Sequence, residues 1–178
     1  MKTIIAILYA HLVKRRNKKW IDNPIKWQTN TFKKLIKNGV KTEFGKNHEF
    51  KNIKSYEQYK EKVPVRDYEE LRPYIEKVVN GEKNILWPGK PLYFAKTSGT
   101  TSGAKYIPIT KESIKTHIRS ARDALLNYFL KTKNFKPLNG KHMFLQGSPE
   151  LNKKRGIYHG RLSGISAHSV PKLFLRNR

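Results

Sequence analysis

The chain has 178 residues (20.8 kDa), 37% hydrophobic and 11% aromatic, the make-up of a domain with a real core, which excludes a disordered tail. It has no cysteine, which rules out disulfide frameworks and thiolate metal sites, and its six histidines (His11, His48, His117, His142, His159, His168) lack ligand spacing, which argues against zinc. With 38 Lys+Arg against 13 Asp+Glu, the formal net charge of +25 attracts polyanions of every kind, whether nucleic acid, acidic membrane or small phosphorylated molecules, or is simply a solvated basic surface.

Along the chain, Thr3 to Val13 are apolar, but only Lys2 precedes them, Lys14-Arg15-Arg16 follow, and no small-residue cleavage site is present. This is not the layout of a secretory signal, and the run is too short to span a bilayer. A cytoplasmic protein without a transmembrane segment is the expectation. Ile5, Leu8 and Leu12 share one helical face, which predicts an amphipathic helix packed on the body, with a membrane-surface helix as the alternative. Asn23-Pro24 then opens a helix carrying Ile25, Gln28, Phe32, Leu35 and Ile36 up to Gly39. Ser55 with Gln58 and Asp67 with Glu70 have capping-box spacing and predict two further helices, the second kinked or divided by Pro73. After Asn80-Gly81 the pattern turns extended, with Ile85-Leu86-Trp87, a Pro88-Gly89 turn, and Leu92 to Ala95. A helical lead over residues 1–90 thus passes into strands.

Leu92-Tyr93-Phe94-Ala95 and Tyr106-Ile107-Pro108-Ile109 read as two strands, the second at an edge because Pro108 has no N–H to give a ladder. The loop between them fails the Walker pattern: Gly99 and Gly103 are three residues apart, Ala104 precedes Lys105, and no helix follows at once. Its chemistry still suits phosphate, since two glycines free the backbone, Ser98, Thr100, Thr101 and Ser102 supply hydroxyls, and Lys105 adds a charge. The same composition also suits a plain surface hairpin. Thr110 then caps a helix with Ile114, Ile118, Ala121, Leu125 and Phe129 on one side. Lys141 to Gln146 reads as a strand, Gly147-Ser148-Pro149 as its turn, and Gly160-Arg161-Leu162-Ser163-Gly164 as a second small-residue loop or a linker.

"FAKTSGTTSGAKYIPIT" resembles the phosphate loop of the adenylate-forming superfamily, which includes acyl-CoA synthetases and luciferases. More narrowly it resembles bacterial members of the auxin-responsive acyl acid amido synthetase family. "VPVRDYEELRPYIEKVVNGEKNILWPGKPLYF" upstream, and "FLQGSPEL" and "GRLSGISAHSVP" downstream, carry the likeness over nearly the whole chain. The resemblance implies a mixed α/β fold, being an incomplete large N-terminal domain of such an enzyme, with residues 91–178 holding the phosphate loop and an acyl-pocket region. It implies an ATP-dependent ligase that adenylates a small carboxylic acid and passes the acyl group to an amino acid, with Mg2+ as cofactor. Ser98, Gly99, Thr100, Thr101, Gly103 and Lys105 match the motif as nucleotide-phosphate binders, and none is a proton-transfer catalyst. Arg119 or Arg122, on the helix that the family places at the acyl pocket, would meet the acid's carboxylate; both also fit a solvated helix face.

The superfamily's later adenine, ribose and C-terminal-domain elements are not found in the 178 residues. They are expected to form an N-terminal piece with no ligase activity of its own, an expectation that acid-dependent pyrophosphate release would overturn. An acyl-CoA-forming ligase is the nearest alternative. A basic nucleic-acid-binding protein is the other, although no RNA-binding aromatic motif, helix-turn-helix spacing or zinc pattern supports specific nucleic-acid recognition.

Overall fold

The computed structural model of the chain describes residues 2–97, 105–140, 143, 145 and 147–168. Five helices come first: α1 (Lys2–Ile21), α2 (Pro24–Gly39), α3 (Glu43–Asn47), α4 (Tyr56–Lys62) and α5 (Tyr68–Val79). Strands β1 (Tyr93–Lys96) and β2 (Tyr106–Ile109) follow, then α6 (Lys111–Thr132), β3 (Asn152–Lys154), β4 (Ile157–Gly160) and α7 (Leu162–Ala167). Among the described residues no helix is long and apolar enough to cross a membrane.

The capped helices form where their end signals stand. The Ser55 side chain accepts from the Gln58 N–H, and Thr110 accepts from the Ser113 N–H, at the starts of α4 and α6. The start of α5 is a full capping box: the Asp67 carboxylate accepts the Glu70 N–H (2.9 Å) and the Glu70 carboxylate accepts the Asp67 N–H (2.8 Å). Asp67→Ala is therefore expected to destabilise the chain by about 1 kcal/mol, read as a lower denaturation midpoint, whereas Asn23→Ala should do less. Asn23 holds the cap position of α2, but its side chain makes no capping hydrogen bond.

Pro73 neither ends nor divides α5, which runs unbroken to Val79. Pro73 is exposed, so the Glu69 carbonyl that loses its partner can be hydrated, while Ile75 and Val78 bury the following turn in the core. Ile85-Leu86-Trp87 is not a strand either. Asn84 and Gly89 clasp each other, backbone N–H to carbonyl (2.9 Å) and Gly89 N–H to the Asn84 side chain (2.7 Å). The carbonyls of Asn84 and Ile85 accept the first N–H groups of the α3 region, from Glu43 and Phe44. Those two carbonyls are taken by a helix start and are not available to a ladder.

The four strands form one mixed sheet in the order β2-β1-β4-β3, with β1 parallel to β4 and antiparallel to β2. Tyr158 donates its N–H to the Leu92 carbonyl (3.0 Å), which sets the phase of the ladder. Phe94 then turns its backbone toward β4, Tyr93 and Ala95 turn theirs toward β2, and Pro108, opposite Phe94, faces outward where no donor is missed. Side chains alternate accordingly. Phe94 and Ile157 pack with Ile75 and Val78 of α5 on one face, and Ala95 and Ile109 pack with Ile114 of α6 and Ile165 of α7 on the other.

Two helix faces differ from the periodicity. On α1 the buried residues are Ala10, Val13 and Asn17, whereas Ile5, Leu8 and Leu12 are 62%, 61% and 64% exposed. Ala10 and Val13 meet Leu126 and Phe129 of α6, and one turn on, Arg16 and Asn17 reach the Asp123 carboxylate (2.6 and 3.2 Å), so the helices run antiparallel. Small side chains let α1 approach closely, and the polar hub at Asp123 sets its rotation. On α6, Ile114, Leu126 and Phe129 are buried while Ala121 and Leu125 are exposed. The helix leaves the sheet halfway and continues on α1, so its buried line turns with the change of partner.

The segment Gly160-Arg161-Leu162-Ser163-Gly164 is not a loop. Gly160 ends β4, Arg161 is the N-cap position, and α7 begins at Leu162. The strand expected over 141–146 falls mostly outside the described residues; Met143 and Leu145 are 86% and 91% exposed and not in a strand.

Candidate functional site

Parallel pairing places the C-terminal ends of β1 and β4 side by side, with Ala95 opposite Gly160. In sheets covered by helices, ligands collect at such strand ends. A cleft of about 250 Å³ opens there, lined by Lys96 from β1, Tyr106 from β2, Lys154 from β3, His159 from β4, and Ser148 and Arg161 beside α7. Two lysines and an arginine against one carboxylate, Glu150, leave the cleft with an excess of positive charge, which attracts anions.

The β1–β2 loop leaves from this end. Its neck is closed by the Thr97 N–H on the Lys105 carbonyl (3.0 Å) and the Lys105 N–H on the Thr97 hydroxyl (3.3 Å). Ser98, Gly99, Thr100, Thr101 and Gly103 lie outside the described residues. Lys105 is described: its ammonium sits 5.2 Å from the centre of the Tyr68 ring. Tyr68, on α5, also accepts the Tyr106 N–H through its hydroxyl (2.8 Å). That N–H points off the free side of β2, so one tyrosine satisfies an edge donor and holds the lysine that ends the loop.

His159 lines the cleft with its ring 5.2 Å from Phe94 and 5.7 Å from Tyr106. Its Nε2 is shielded from solvent and has no hydrogen-bond partner among the described residues. Burial, reinforced by the Lys154 charge, pushes its pKa below the ordinary value. The unfolded chain therefore binds a proton more readily than the folded one. The stabilisation is complete above the unfolded value of roughly 6.5 and is lost as pH falls through the lower folded value. Chemical denaturation at successive pH values from neutral to mildly acidic should show a fall in stability that His159→Asn makes shallower; identical profiles would contradict this placement of the imidazole.

Neither arginine on α6 reaches this cleft. Arg122 donates through Nε and Nη2 to the Asp123 carboxylate (3.0 and 2.7 Å) and lies 5.5 Å from the Tyr9 ring. Burial alone would raise the Asp123 pKa, but hydrogen bonds from Arg122 and Asn17 and the charges of Arg122 and Arg16 hold it below the usual carboxylate range. Arg119 is exposed and lines a separate cleft of about 1230 Å³ between α1, α2 and α6, which all three tryptophans, Trp20, Trp27 and Trp87, also line. Asp123→Ala would strand Arg16, Asn17 and Arg122 and is expected to destabilise by about 2 kcal/mol, measurable as a lower denaturation midpoint.

For a metal the described residues offer little, with no group of three or more His, Asp or Glu placed to hold one. Glu150 is the carboxylate among the described residues lining the strand-end cleft. The sequence reading missed Lys96, Tyr68 and His159. Lys96 stands two residues before the loop, and Arg161 lies inside a motif already singled out, so adjacency was the signal available. His159 had none.

The sequence matches the family model described as "GH3 family N-terminal domain" over residues 13–177. It is 28% identical over 133 residues to a jasmonoyl--L-amino acid synthetase, GH3.5, of Oryza sativa subsp. japonica, covering 73% of this chain and 22% of that protein. To an indole-3-acetic acid-amido synthetase, GH3.15, of Arabidopsis thaliana it is 39% identical over 64 residues, 35% of this chain and 11% of that one. Among solved structures, the GH3.15 acyl acid amido synthetase superposes with a TM-score of 0.71 over 83% of this chain and 27% of its own, at 23% identity, which is evidence of shared fold. The chain thus spans about a quarter of that structure's length or less of the relatives it matches. With a family match over nearly its whole length and the mixed α/β architecture in common, the chain belongs to the GH3 family, in the region of that family's N-terminal domain.

Proposed function

We propose that the chain carries the triphosphate-gripping part of an ATP-dependent acyl acid amido synthetase, within the N-terminal part of an adenylate-forming domain. In the first step a carboxylate oxygen bonds to the α-phosphorus of ATP and pyrophosphate leaves. In the second an amino acid nitrogen bonds to the acyl carbon, AMP leaves, and the amine gives up a proton. A carboxylate is a poor acyl donor, and its ester with AMP is a good one.

One observation carries the reading: the Ser/Thr/Gly loop leaves the sheet at the end where Lys96, Lys154 and Arg161 surround a cleft. Its hydroxyls and amides, with Lys105, would neutralise charge growing on departing pyrophosphate, a task of electrostatics and position. The Tyr68 ring holds Lys105 at the loop's base. Magnesium bound with the nucleotide would screen the phosphates, with Glu150 the carboxylate at hand. Arg119, which lines the larger cleft, would meet the acid rather than Arg122, whose guanidinium is paired with Asp123. The relatives' names favour an amine acceptor over a thiol, and ATP supply favours a cytoplasmic setting.

Calorimetric titration of the chain with MgATP, and separately with tripolyphosphate, tests the grip. Lys105→Ala should weaken both by about tenfold or more, while Lys37→Ala, on the exposed side of α2, should change neither. Equal losses in the two variants, or oligonucleotide binding indifferent to Lys105→Ala, would turn the case toward a basic surface for nucleic acid.

A further inference from the structure

Helix α1 is apolar on two opposite sides. At about 100° per residue, Ile4, Ile5, Leu8 and Leu12 cluster roughly 150° away from Ala10 and Val13, which fill the contact with α6. All four are more than 60% exposed. A helix apolar on both sides normally has cover on both, and three facts choose among occupants. First, Arg15 and Lys19 continue the same stripe one and two turns on, and both are exposed. Second, α1 has Lys or Arg at six of its 20 positions and no acidic residue, so two copies pressed face to face would set like charges together. Third, the four apolar residues precede residue 13, where the family match begins, so the face itself lies outside the matched region.

We propose that this outer face of α1 rests on an anionic lipid surface, with Ile4, Ile5, Leu8 and Leu12 in the headgroup–acyl boundary and Arg15 and Lys19 on lipid phosphates. Apolar insertion and cationic attraction add in such a helix, and neither is sufficient alone. The helix lies on the bilayer and does not cross it.

Co-sedimentation of the chain with vesicles of equal parts phosphatidylserine and phosphatidylcholine, compared with phosphatidylcholine alone, provides the test. Binding to the mixed vesicles only is expected. The double variant Leu8→Ser/Leu12→Ser should bind at least about tenfold more weakly, with an unchanged melting temperature because both side chains are exposed. Arg15→Gln/Lys19→Gln should weaken binding and flatten its salt dependence. Vesicle binding indifferent to the leucine variant would show plain adhesion of a +25 chain and overturn the proposal. So would absence of binding, or a dimer in solution that the leucine variant dissociates.

Discussion

Phe94→Ala should lower the free energy of unfolding by about 3–5 kcal/mol, a large part of the roughly 5–15 kcal/mol that holds a typical domain. Phe94 is fully buried in the middle of β1, ringed by Ile75, Val78, Ile85 and Ile157. It also meets Tyr106 edge to face at 5.8 Å and His159 at 5.2 Å. Deleting the ring leaves a void that two strands and α5 cannot all close upon, so the cavity adds to the lost transfer energy. Val65→Ala makes the control: Val65 is 100% exposed, and its truncation should stay within about 0.5 kcal/mol of wild type. Denaturant midpoints from far-UV circular dichroism give both numbers. A Phe94 loss no bigger than the control's would mean that β1 is not the centre of the core.

Gly164→Ala comes second, and its sign is what decides. In a helix alanine is better than glycine by about 1 kcal/mol, so propensity alone calls for stabilisation of α7. Yet a Cβ on Gly164 would stand 2.1 Å from the Ser148 carbonyl oxygen, and backbone cannot swing away as a side chain tip can. The clash should prevail, with a net loss of about 2–3 kcal/mol. Because the displaced strand of chain holds Ser148 and Glu150 at the cleft, tripolyphosphate affinity should fall as well. An alanine variant with a raised melting temperature would show that α7 does not pack as described.

Local chemistry made part of this readable in advance. Helices announced by Pro24 and Gly39, by Asp67 with Glu70, and by Thr110 stand where their caps fall, since those signals act within one turn. The hairpin around the Ser/Thr/Gly loop and the outward place of Pro108 were legible for the same reason. What escaped depends on distant partners. No residue near Phe94 encodes a parallel pairing with His159, 65 positions later, and without it the cleft and its histidine have no location. The buried side of α1 was misread because two apolar stripes compete, and only the Asp123 hub on α6 selects between them. Ile85-Leu86-Trp87 has a strand's composition, but its backbone partners belong to α3.

The outermost strands have a bearing on how the protein survives crowding. A further chain approaching β2 meets Pro108, which offers no N–H, and one approaching β3 meets Lys153 and Lys154, both exposed. Among the described residues, intermolecular zippering is thus blocked chemically on one border of the four-stranded sheet and by repulsion on the other, and concentrated solutions of this chain should resist fibril growth.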